Sequence, residues 1–88
     1  MDISFDPAKD QANRAKHGIS LDLAAALDWS GAVIVADDRF DYGEDRFRAF
    51  GRIDGRLHVL VFTRRDGTIR AISLRKANAR EVSFHDQS

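Results

Sequence analysis

Two dipeptides constrain the fold of this chain more than any other feature. Asp54-Gly55 and Asp66-Gly67 each separate stretches rich in β-branched and aromatic residues. Asp-Gly at such a junction signals a two-residue hairpin, because both central residues of that turn take positive φ. Three antiparallel strands follow, over Arg46 to Ile53, Arg56 to Arg64 and Thr68 to Arg75. The first alternates, with Arg46, Arg48, Phe50 and Arg52 on one face and Phe47, Ala49, Gly51 and Ile53 on the other, the period of a half-buried strand. The β-branched run Val33-Ile34-Val35 adds a fourth strand, and its continuity reads as burial on both sides or beneath helices. Asp37 to Asp45 is a polar loop.

The amino-terminal part is helical. After a short apolar start, Ile3-Ser4-Phe5, Asp6 can cap a helix whose first turn holds Pro7; Ala8 to His17 are good helix formers and Gly18 suits a left-handed end. Ser20 offers a second cap, ahead of the stripe Leu21, Ala24, Ala25 and Leu27, with Trp29 expected to close that short helix over the core. Beyond Ala77 no strand pattern survives, and a turn or two of helix fits. The expectation is a single α+β domain over residues 1–88: β-α-α, an antiparallel meander of about four strands, and a short carboxy-terminal helix. Helices on one sheet face leave the other to meet something else, and three alternate arginines stand on it.

Charge sharpens that geometry. The net charge is zero, yet residues 1–45 carry four cations against ten anions, net −6, and residues 46–88 ten cations against four anions, net +6. Eleven of the fourteen cations are arginine, whose planar fork suits bidentate contacts to phosphate. A polyanion partner is one reading; mutual neutralisation of the halves within the fold is the other.

Several chemistries lack their residues. There is no cysteine, hence no disulfide scaffold or thiolate, which fits a reducing cytosol. No apolar run exceeds five residues, against the ~20 that span a bilayer, and Met1-Asp2-Ile3-Ser4 lacks the basic start of a signal peptide; a cytoplasmic protein without membrane contact is expected. His17, His58 and His85 have no metal-ligand spacing, and no phosphate-cradling glycine loop or Gly-x-Ser-x-Gly elbow occurs, so neither metal nor cofactor is expected. Arginines beside a few proton-moving groups suffice for one reaction, transphosphorylation of RNA. There the 2′-hydroxyl attacks its own phosphate, a base takes its proton, cations hold the developing charge and an acid protonates the leaving 5′-oxygen.

Specific strings go further. Asp6-Pro7-Ala8-Lys9 through Asn13 to Lys16-His17-Gly18-Ile19-Ser20, then Gly43-Glu44-Asp45-Arg46-Phe47 with Gly51, Val61-Phe62-Thr63-Arg64, and Ile69 to Ala77 with Glu81 together resemble the BrnT family of type II toxin–antitoxin toxins, over nearly the whole chain. The resemblance implies a RelE-like fold and a metal-independent endoribonuclease that cleaves mRNA and so inhibits translation. It also implies a cognate ribbon-helix-helix, BrnA-like antitoxin, with operator DNA bound only through the toxin–antitoxin complex. Carried over by position, it implies catalytic roles for His17, Arg64, Ser73 and Arg75 and phosphate binding by Lys16, Arg46 and Arg70. A helix C-terminus beside His17 would favour its imidazolium form. Two positions depart from the family pattern, Leu74 where a small residue is usual and Phe84-His85 where a tyrosine is frequent. The alternative is a catalytically weakened RNA-binding or co-repressor module of the same fold.

Overall fold

The computed structural model describes residues 2–39 and 41–87. Both Asp-Gly turns form as the dipeptides demand: Asp54 and Gly55 have φ of 49° and 78°, and Asp66 and Gly67 of 50° and 78°, the signature of type I′ hairpins. They join β3 (Phe47–Ile53), β4 (Arg56–Arg65) and β5 (Thr68–Lys76). β2 (Val33–Ala36) pairs antiparallel with β3. The short start becomes β1 (Ile3–Phe5), which pairs parallel with β5 through Ile3↔Ile69 and Phe5↔Ala71, a pairing between chain ends that no local pattern encodes. The sheet order is β1-β5-β4-β3-β2.

That order corrects one expectation. β2 is at the rim, with β3 as its single partner, so Ile34 and Val35 remain 41% and 37% exposed. A β-branched run alone does not distinguish a central strand from an edge.

Helix α1 (Pro7–His17) begins where Asp6 accepts a hydrogen bond from the Ala8 amide and ends at Gly18 in the left-handed region. The Asp10 carboxylate then accepts from the Ser20 hydroxyl and the Leu21 amide, fastening the next segment to α1. The second helix, expected as α, is a 3₁₀ segment over Leu21–Ala26. Its i→i+3 bonds eclipse Leu21 and Ala24, and both are fully buried. That segment covers a core of Leu21, Leu27, Leu60, Phe62 and Leu74, closed by Trp29, whose ring meets Phe62 edge-on at 5.5 Å.

The helices do not share one face. α2 (Ala79–Asp86), started by an Asn78–Glu81 capping box, packs Val82 on a second cluster of Phe50, Leu57, Val59 and Ala77. In the strand register Phe50↔Val59↔Arg75 and Arg48↔Val61↔Ser73 these residues stand on the face opposite the main core, since Ala49↔Leu60↔Leu74 point into it. α2 therefore lies over part of the face that carries the arginines. α1 lies against β5 where β1 ends: the buried Asn13 amide accepts from Leu74 N and donates to Leu74 O, both at 2.9 Å. A side chain thus stands in for an edge strand.

Candidate active site

The part of the arginine face left uncovered by α2 and the flank of α1 border a groove of about 370 Å³. α1 contributes Lys9, Lys16 and His17, the latter two placed at its end by the Gly18 cap. β5 contributes Ser73 and Arg75, and β3 contributes Arg48. A register shift opposite Val61 and Phe62 leaves Ile72 unpaired, so that Ile72 and Ser73 both line the groove, the re-aiming a β-bulge allows. Among the described residues no carboxylate lines it.

His17 is held below its ordinary pKa, first by burial and then by the positive charges of Lys16 and Arg75. This runs against the expectation drawn from the helix terminus: burial first, and then the two neighbouring cations, disfavour the imidazolium form. Arg75 is clamped by Glu81 through two parallel hydrogen bonds of 2.7 and 2.8 Å. The Arg75 hydrogen bonds lower the Glu81 pKa to about 2, with further help from the Asn78 amide and the Arg48 charge, so Glu81 is a poor base. Arg39, at the groove wall, is likewise paired, at 2.6 and 3.0 Å, with the buried Asp37.

The seven sequence-predicted residues divide. His17, Lys16, Ser73 and Arg75 come together in the groove. Arg64 does not: alternation from the buried Phe62 places it on the main-core face, where its guanidinium lies 5.7 Å from the Phe47 ring centroid. Arg46 stacks 4.0 Å over Tyr42 and pairs with Glu44 at 3.3 Å. Arg70 reaches Ser4 at 3.5 Å and lines a neighbouring depression that shares Lys9 and Ile72 with the groove.

The groove also holds Lys9 and Arg48, which the sequence reading does not single out as site residues. Lys9 and Lys16 are seven apart on α1, hence on one helical face, and Arg48 belonged to the alternating arginine strand; both signals were present. The open arginine face also needs correction, because Arg52 pairs with Asp86 at 3.0 Å, Arg46 with Glu44 and Arg75 with Glu81. Two of those three carboxylates, Glu81 and Asp86, come from the cationic half itself.

A family model for the ribonuclease toxin BrnT of type II toxin–antitoxin systems matches residues 5–81. The chain belongs to the BrnT family. The match runs from the end of β1 to Glu81 and takes in every residue named in the groove. No curated protein matches the chain. Membership makes it a ribonuclease toxin of a type II system and implies an antitoxin as its partner. No described helix is long and apolar enough to cross a membrane.

Proposed function

We propose that the groove between α1 and β5 is the RNA-cleaving site of this BrnT toxin and that its substrate is mRNA, so that cleavage inhibits translation. The observation that carries the reading is the meeting of the His17 imidazole, held below its ordinary pKa, with Lys16, Arg48 and Arg75 on a surface free of lining carboxylates among the described residues. In the reaction the 2′-oxygen bonds to the adjacent phosphorus as the bond from phosphorus to the 5′-oxygen breaks, giving a 2′,3′-cyclic phosphate and a free 5′-hydroxyl. His17 takes the 2′-hydroxyl proton, and the leaving 5′-oxygen is protonated from water at the open groove. Arg75, Lys16 and Arg48 hold the charge that grows on the phosphoryl oxygens, and the Ser73 hydroxyl orients the phosphate. Arg70, reached through Lys9, extends the cationic track along the strand of RNA. Each role can be filled without a metal ion.

The site is tested with purified protein and a defined RNA. His17→Ala and Arg75→Ala should each lower the cleavage rate by roughly 10²-fold or more, and mass spectrometry of the wild-type products should find cyclic phosphate ends, unchanged by a chelator. Full activity in both variants, or chelator-sensitive cleavage, would sink this reading. The Glu81 clamp on Arg75 favours a second reading, a binding module that holds RNA without cutting it; salt-sensitive RNA binding with intact product on the gel would establish that one. The partner we propose is a ribbon-helix-helix antitoxin, with operator DNA bound through the complex alone.

A further inference from the structure

β2 is an edge without the usual protection. Val33-Ile34-Val35-Ala36 contains no lysine, proline or bulge, the devices that normally blunt an open strand. The Asp37 amide donates to Arg46 O at 2.7 Å; by antiparallel alternation Val35 and Val33 exchange bonds with β3, whereas the N–H and C=O groups of Ile34 and Ala36 point away from the sheet. Beside this edge, between β2, β3 and α2, runs an apolar cleft of about 390 Å³ floored by Val33, Val35 and Phe50 and bounded by Arg48, Arg80 and His85.

The cleft is also where polar atoms go unmet. Three buried side-chain atoms lack a hydrogen-bond partner among the described residues, Arg48 Nε and the two ring nitrogens of His85, and both residues line it; the nearest carboxylate to His85 Nδ1 is that of Asp86, at 3.8 Å. Buried polar groups are paired in the great majority of folded proteins. The single acid on the cleft wall, Glu81, already serves Arg75, so the surface calls for an incoming acceptor.

We infer that the antitoxin docks here, adding an extended segment to β2 as a sixth strand, with apolar side chains in the cleft and a carboxylate on Arg48 and Arg80. Main-chain bonds to Ile34 and Ala36 supply affinity and the cleft supplies register. A second copy of this chain is the poorer occupant. Two-fold pairing of β2 edges would bring one cationic cleft against another on the same sheet face, and like charges placed opposite each other are unfavourable. The inference rests on the antitoxin partner that family membership implies; Arg48 lines both the cleft and the groove, so an antitoxin seated here also takes one of the groove's cations.

The full chain, co-purified with its antitoxin, provides the test. Hydrogen exchange should show the Ile34 and Ala36 amides protected in the complex and exposed in the free chain. Val35→Glu and Arg80→Glu should weaken antitoxin binding by about ten- to a hundredfold, and Ala36→Pro should abolish the outward bond without touching the β3 ladder. None of the three lies in the groove, but Val35 stands opposite Arg48, so retained RNA cleavage is read from the free Arg80→Glu and Ala36→Pro variants, whose growth arrest should no longer be neutralised. Affinity within twofold of wild type in all three, or unchanged exchange at Ile34 and Ala36, overturns the docking site alone. Protection that rises with concentration of the free chain overturns it in favour of a dimer. Failure of the wild-type pair to form a complex overturns the antitoxin partner along with it.

Discussion

Replacing Glu81 tests how α2 is held against the sheet and how far its carboxylate competes with RNA phosphate for Arg75. The carboxylate accepts two hydrogen bonds from Arg75 at 2.7 and 2.8 Å and a third from the Asn78 amide at 2.9 Å. Its pKa falls from 4.5 to about 2; at 1.36 kcal/mol per pH unit this bounds the stabilisation near 3 kcal/mol. The Glu81 side chain is 18% exposed and its partner 35%, so screening by water brings the expected loss in Glu81→Gln to about 1–2 kcal/mol. Urea denaturation at pH 7 measures it. Because the folded-state pKa is depressed, the contribution is complete above the unfolded value of 4.5 and disappears as pH falls toward 2. The gap between wild type and Glu81→Gln should therefore be widest at neutral pH and close across that acid window. A gap that is constant, or that widens on acidification, would refute the ion pair as the source. The same substitution frees Arg75, so RNA affinity at low salt should rise even as stability drops.

Three further outcomes follow from the same geometry. Asn13→Ala strands both polar groups of Leu74 and the Ile19 carbonyl, and should cost about 2–4 kcal/mol in thermal or chemical unfolding. Because His17 sits below its ordinary pKa of 6.5, the acid limb of the cleavage rate should lie below pH 6.5; Lys16→Ala removes one of the lowering charges and should move that limb upward. Gly51→Ala puts a methyl group 3.0 Å from Leu27 Cγ beneath the 3₁₀ segment, an overpacking that should lower stability by about 1–3 kcal/mol with no change in the pH profile of cleavage.

Local chemistry made much of the fold legible. The Asp-Gly pairs specify the two hairpins, Asp6-Pro7 and Gly18 delimit α1, and the alternation of Arg46 to Ile53 sorts one strand into its two faces. What stayed hidden depends on partners distant in sequence. β1 meets β5 across the length of the chain, and β2 reads as buried until the strand order shows it at the rim. The site followed the same division. His17 and Lys16 are adjacent on one helix end and Ser73 and Arg75 alternate on one strand, so each pair shares a locality that the fold then joins. Arg64 had no such guarantee: it lies beside the Asp66-Gly67 turn, and the strand alternation carries it to the opposite face from Ser73. The alternating arginines are legible as a face, but the pairing of Arg46 with Glu44, Arg52 with Asp86 and, on β5, Arg75 with Glu81 is not, because it depends on where the loop and α2 come to lie.

The most direct test compares three alanine variants on one RNA under single-turnover conditions. With the reaction in the groove, His17→Ala and Arg75→Ala lose roughly 10²-fold or more in cleavage rate, while Arg64→Ala, on the opposite face, stays within about threefold of wild type. Loss of cleavage in Arg64→Ala with His17→Ala fully active would contradict the groove as the site of chemistry.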